Sequence, residues 1–158
     1  KIPVLRDGDT IVPDSSVICA YLEKKHPLPA LYPDDPAQLA KVLFLEEYAD
    51  TRMGETLGGI FFERVVKPHV LRQTPDESRV AELLAHAVPP VLDYLESQIQ
   101  SDRDTVLARF SIADAALGAQ LGNLSFVGIE IDAQRWPRTA RYCRALLARP
   151  SFKTAMAS

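Results

Sequence analysis

The sequence has 158 residues, with 18 Lys and Arg against 21 Asp and Glu and a formal charge of −3. A hydrophobic share of 47% and a charged share of 25% exclude a disordered or low-complexity chain. The mild acidity argues against a general nucleic-acid binder, and no apolar run approaches the roughly 18 residues of a membrane span.

The apolar run Ile2-Pro3-Val4-Leu5 is followed by Asp7-Gly8, a hairpin turn signal. Thr10-Ile11-Val12 supplies the return strand, so the pattern predicts an antiparallel hairpin of residues 2–5 and 10–12. Two strands alone are marginal in water, and this pair needs further sheet or a helix to pack on. Pro13-Asp14-Ser15-Ser16 opens a helix that either Asp14 or Ser15 can cap. Val17, Ile18, Tyr21 and Leu22 then follow at helical spacing. Pro27 and Pro29 stop that helix. Pro and Asp recur up to residue 36, which reads as a linker at a domain boundary. The division is residues 1–27, a linker 28–36, and a second unit 37–158.

Everything beyond residue 36 reads helical. Residues 37–67 carry a long apolar periodicity, with Gly58-Gly59 as a bend or a close helix contact and Pro68 as an end or kink. Thr74-Pro75-Asp76-Glu77 predicts a helix start with Thr74 as the cap, and Pro89-Pro90 must bend or break that helix. Ser111-Ile112-Ala113-Asp114 is a capping box with Asp114 in the place of Glu, and Phe110 is placed to staple near Ala115. The small residues Ala113, Ala115, Ala116, Gly118 and Ala119 predict a tightly packed central helix. Trp136-Pro137 starts another helix, and Arg149-Pro150-Ser151-Phe152 turns the chain into a last short one.

The catalytic inventory is thin. His26, His69 and His86 lack metal-ligand spacing, and no HExxH or CxxC occurs, so no metal is expected. His86 lies in an apolar helix and reads as packed or half-exposed, and Glu46-Glu47 reads as a solvated helix face. Cys19 and Cys143 sit in helix interiors, so both read as packed side chains rather than nucleophiles. Two cysteines make no disulfide framework, which points to a reducing compartment, most simply the cytoplasm.

The informative arrangement is at the start. Pro3 heads a strand, and a cis bond before it would leave the Ile2 backbone groups facing outward. Asp14-Ser15 stands at a helix N-terminus, where free N–H groups and the dipole favour an anion. The Ser15 hydroxyl can donate to a carboxylate and Asp14 can accept from an ammonium, which suits the amino-acid end of a peptide-like ligand. Plain capping accounts for the same two residues, and on the residues alone the two readings stand level.

Ile2-Pro3-Val4-Leu5, the Asp7-Gly8 turn, and Pro13-Asp14-Ser15 followed by Ile18-Cys19-Ala20-Tyr21-Leu22 resemble the second half of the thioredoxin-like domain of a cytosolic-type glutathione S-transferase. Phe110-Ser111-Ile112-Ala113-Asp114 resembles that family's helical capping motif, and Arg149-Pro150-Ser151-Phe152 its C-terminal segment. The resemblance implies an α/β thioredoxin-like fragment, a β-hairpin plus helix, followed by an all-α glutathione-transferase C-terminal domain. It implies glutathione as co-substrate, with Ile2 and Pro3 at the cysteinyl part and Asp14 and Ser15 at the γ-glutamyl end. A small hydrophobic electrophile would lie against Tyr48, Arg52, Met53 and Phe61, with Ser111 and Asp114 as a structural cap and a homodimer as the assembly.

Leu107-Ala108-Arg109 departs from the Gly turn that often precedes the family's capping box. The family's first strand, first helix and second strand, which carry the thiolate-activating Tyr, Ser or Cys, have no counterpart here. Lys1, with no Met before it, leads at once into a strand. The expectations are that residues precede Lys1, that no catalytic residue lies in this chain, and that the chain as given is inactive. A full-length form would direct the glutathione thiolate at an electrophile. The alternative is a non-catalytic binding module on the same scaffold.

Overall fold

The computed structural model describes residues 3–100 and 103–157. Strand β1, Val4–Asp7, pairs antiparallel with β2, Thr10–Pro13, in a register running from Val4↔Pro13 to Asp7↔Thr10. The ladder extends further toward the turn than the predicted 2–5 and 10–12, so the turn centres on Gly8 and Asp9. Gly8 carries φ 60°, the left-handed first position that a two-residue hairpin turn requires. The Asp7 carboxylate accepts from the Tyr21 hydroxyl at 2.8 Å and from the Lys25 ammonium, tying the turn to helix α1, Ser15–Lys25. The expected buried face of α1 is only half realised. No residue of it is fully buried, and Val17 remains 53% exposed.

The segment after α1 is held from both sides. Glu23 of α1 accepts the Leu31 and Tyr32 N–H groups at 3.1 and 3.2 Å. From the helical region, Arg109 donates to the carbonyls of Ala30 and Tyr32 at 2.9 and 3.2 Å, and the Ile112 N–H to that of Leu31 at 3.1 Å. What composition marks as a linker is a stitched strap.

Residues 36–70 form one helical rod. Helix α2, Pro36–Tyr48, is capped by Asp35, whose carboxylate accepts the Gln38 N–H at 2.9 Å. Wider turns follow over Ala49–Gly58, then helix α3, Gly59–Phe61, then wider turns again over Phe62–Val70. Gly58-Gly59 does not bend the rod, since both residues keep helical dihedrals. Of the two expectations the close contact holds at Gly59, where a Cβ would meet Leu83 at 3.3 Å. Pro68 does not end the helix either. A wider turn moves the preceding carbonyl away from the proline ring, and the rod continues to Val70.

Helix α4, Glu77–Glu82, is capped by Asp76 rather than Thr74, with the Asp76 carboxylate accepting the Arg79 N–H at 3.0 Å. The Asp76 N–H in turn donates to buried Glu63 at 3.0 Å, a tertiary anchor that selects this residue as the cap. Wider turns over Leu83–Ala87 lead into helix α5, Val88–Gln98, whose first turn contains Pro89 and Pro90. Prolines are tolerated in a first turn because the N–H groups there have no intrahelical partner. Helices α6, Ile112–Phe126, α7, Pro137–Leu147, and α8, Pro150–Met156, complete the chain.

Helix α6 is the centre of the core, as its small residues predict. Leu117, Leu121 and Leu124 are buried with Leu45, Met53 and Leu57 of the rod and with Tyr142 and Leu146 of α7. Each such leucine contributes roughly 1.5–3 kcal/mol by leaving water. At Gly118 an added Cβ would run into the Phe152 ring and lie 3.1 Å from Leu146.

Candidate functional site

The site builds on the junction of the hairpin and α1. Asp14 adopts φ 77° and ψ 134°, a conformation that L residues rarely hold. Its N–H donates to the Pro3 carbonyl at 3.1 Å, its own carbonyl accepts the Ile18 N–H at 2.9 Å, and its carboxylate accepts the Ser16 N–H at 3.1 Å. Asp14 is thus the cap, and Ser15 is the first helical residue. Ser15 is exposed, and among the described residues its hydroxyl makes no hydrogen bond. Ile2, and the bond between it and Pro3, lie outside the described residues. The cis peptide among the described residues joins Leu28 and Pro29.

Three further residues, Ser16, Asp50 and Glu46, complete the surroundings, and the sequence marks none of them as part of a site. The Ser16 hydroxyl donates to Asp50 at 3.3 Å across to the rod. Glu46 is 6% exposed and lies under α1, which corrects the solvated-face reading for that residue, while its neighbour Glu47 is exposed. Burial pushes the Glu46 carboxyl up, the Ser16 hydroxyl pulls it partly back, and the charges of Asp50, Glu47 and Asp14 add to the rise. A side chain at i+4 from Val42 could have been read onto the buried face. Placing a carboxylate there contradicts ordinary pattern reasoning.

Neither thiol is activated. Burial, then the charges of Glu46 and Asp50, push Cys19 up. Burial pushes Cys143 up to about 11.

The four residues expected at an electrophile wall have different surroundings. The Tyr48 ring packs on Tyr94 at 4.7 Å between centroids, and its hydroxyl donates to the Val91 carbonyl at 3.3 Å. Met53 is wholly buried core. Phe61 packs edge-on against Phe126 at 5.9 Å. Arg52 is exposed, 3.6 Å from Glu55, and borders an open cleft with Arg79 and His86. His86 itself is exposed, not packed.

Ser111 and Asp114 form their capping box. The Asp114 carboxylate accepts the N–H and hydroxyl of Ser111, the Val106 N–H and the Tyr142 hydroxyl, each at 2.8 Å. Among the described residues no cluster of three His, Cys, Asp or Glu side chains could hold a metal ion. No helix among them is long and apolar enough to cross a membrane.

Residues 1–35 match the family model for the glutathione S-transferase N-terminal domain. Over 158 residues the chain is 29% identical to a maleylacetoacetate isomerase of Pseudomonas aeruginosa, covering 98% of this chain and 70% of that protein. A crystal structure of a glutathione S-transferase from Methylobacterium radiotolerans, in complex with glutathione sulfonate, is 31% identical with a TM-score of 0.71, over 98% of this chain and 71% of that one. The chain belongs to the glutathione S-transferase family. The hairpin plus α1 is the family's thioredoxin-like part, and the helices from α2 onward are its all-helical part. FtsZ-localized protein A of Caulobacter vibrioides is also similar, at 22% identity over 147 residues, 93% of this chain and 64% of that protein.

Proposed function

We propose that the hairpin and the α1 N-terminus form the γ-glutamyl end of a glutathione site. The observation that carries this reading is the exposed Ser15 hydroxyl, without a partner among the described residues, beside an Asp14 held at φ 77°. Strained backbone of this kind persists where the surroundings enforce it, and it concentrates at ligand sites. The ligand's α-carboxylate takes the Ser15 hydroxyl and the positive end of the helix. Its ammonium lies toward Asp14, with Asp50 the next carboxylate along. Ile2, the residue before Pro3, serves the cysteinyl part through its backbone.

The reaction class is attack of the glutathione thiolate on a small hydrophobic electrophile, in a homodimer. Cys19 and Cys143 are both held away from ionisation near neutrality, so the attacking sulfur is the ligand's own. The electrophile wall is assigned to the exposed side of the rod at Arg52, because Met53 is consumed by the core. Compartment and thiolate chemistry agree, since a reducing cytoplasm keeps glutathione as the thiol.

A second reading is a binding module without catalysis. It is favoured by the likeness to FtsZ-localized protein A, whose name describes a location rather than a reaction. Calorimetric titration with glutathione tests the first reading. Ser15→Ala should weaken binding by roughly 1.5–3 kcal/mol, the worth of a hydrogen bond to a charged group, with an unchanged melting temperature. Equal affinity of Ser15→Ala and the parent removes Ser15 from the site. Glutathione binding with no turnover of a reactive electrophile favours the module.

A further inference from the structure

We propose that the buried Glu46 carboxyl is a positioning residue of the glutathione site: it holds the Ser16 hydroxyl so that Ser16 aims the Asp50 carboxylate at the ammonium of the ligand. The proposal rests on the γ-glutamyl reading of this junction and adds to it a residue that acts through another. Ser16 is the node. Its N–H donates to the Asp14 carboxylate at 3.1 Å and its hydroxyl to Asp50 at 3.3 Å, so one residue is tied to both carboxylates on the ammonium side. The same hydroxyl bonds the Glu46 carboxyl. Glu46 is 6% exposed beneath α1, whereas Asp50 is exposed.

A hydroxyl carries one proton and two lone pairs. With that proton given to Asp50, the Ser16 oxygen meets Glu46 through a lone pair, which an ionised carboxylate cannot use. The arrangement closes when Glu46 keeps a proton and donates it to the Ser16 oxygen, giving a chain from Glu46 through Ser16 to Asp50. The surroundings favour that state. The charged neighbours of Glu46 are Asp50, Glu47 and Asp14, with Cys19 of α1 and Tyr32 of the strap also facing it. Among the described residues no Lys or Arg pairs with it. Burial and these charges hold the carboxyl above its usual range. An ammonium arriving beside Asp14 and Asp50 changes the balance, because added positive charge favours ionised Glu46. Binding therefore releases a proton, and affinity rises with pH until Glu46 is ionised in the free protein as well.

Calorimetric titration with S-methylglutathione, whose blocked sulfur has no thiol proton to lose, tests this between about pH 5 and about pH 7.5 in buffers of differing ionisation enthalpy. The parent should release part of a proton on binding, and its affinity should rise about threefold or more across that range. Glu46→Gln replaces the acid proton with an amide that still donates to Ser16, so it should bind with no proton release and a flat pH profile. Glu46→Ala and Ser16→Ala should each weaken binding about fivefold or more, and the double variant no further, because both break the same chain. Equal proton release by Glu46→Gln and the parent overturns the proposal, as does an additive double variant. In either case a Ser15→Ala that binds more weakly than the parent keeps the γ-glutamyl reading. A parent that fails to bind S-methylglutathione overturns both.

Discussion

The Glu96 carboxylate of α5 accepts both the N–H and the hydroxyl of Thr139, at 2.8 and 2.7 Å, and so caps the N-terminus of α7 from another helix. The Arg138 N–H and guanidinium add bonds of 3.0 and 3.1 Å. The residue at the cap position itself, Trp136, offers no side-chain acceptor. Burial opposes ionisation of Glu96, but the Thr139 and Arg138 donors outweigh it and hold the carboxyl below its usual range. A carboxyl lowered in the folded state stabilises above its unfolded pKa and loses that contribution as pH falls through the folded value. Glu96→Ala should cost about 1–2 kcal/mol at neutral pH, the worth of a helix cap. Its stability should also fall less steeply on acidification than the parent's. Urea melts at neutral and acidic pH measure both, and equal slopes would show that Glu96 does not set the acid sensitivity.

Asp114 is fully buried and its carboxylate serves four donors. Removing one acceptor while leaving its buried donors in place costs roughly 1–3 kcal/mol for each group left unsatisfied. Asp114→Ala should therefore lose about 3 kcal/mol or more, beyond the ordinary cost of a lost cap. Tyr142→Phe removes a single donor and should lose about 1 kcal/mol. Guanidinium melts of the two variants and the double variant check this. A strictly additive double variant would show that Asp114 and Tyr142 act independently.

Glu46 has the opposite sign. Burial raises its carboxyl above the usual range, so folding is opposed as pH climbs through the unfolded value and the buried group must ionise. Glu46→Gln should raise the melting temperature at neutral pH and change it little near pH 4, where the parent carboxyl is already protonated. A gain of equal size at both pH values would trace the effect to packing rather than charge.

Gly118 and Phe152 form a close-packed pair of α6 and α8. Gly118→Ala should destabilise by about 1–3 kcal/mol through overpacking, despite the better helix propensity of alanine. Adding Phe152→Leu should return most of the loss, because the ring that meets the new methyl is gone. Thermal melts of the single and double variants decide it. A double variant no better than Gly118→Ala would place the strain at Leu146, the other neighbour of that position.

Local patterns carry much of this fold. Asp7-Gly8 marks the hairpin, though the ladder runs on until Gly8 and Asp9 alone make the turn. Ser111 with Asp114 marks the start of α6, and its small residues mark it as central. Asp14-Ser15 is visible as a pair of dual meaning. Its φ of 77° and the open Ser15 hydroxyl belong to the folded chain. Along the rod the pattern does not separate lining from core, since Met53 is wholly buried while Arg52 beside it is exposed.

What the sequence alone determined is therefore short-range: turn residues, caps, apolar stripes and the family that their order spells out. These depend on dihedral preferences and on neighbours within a few residues, which the chain carries wherever it goes. The tertiary structure decided the long-range acceptors. Glu96 caps α7, Glu63 selects Asp76 over Thr74, and Glu23 with Arg109 turns a Pro-rich linker into a strap. A carboxylate at the surface and one that satisfies another element's N–H groups look alike in sequence. Only the packing of that element against it, and the removal of water that makes the unmet bond costly, tells them apart.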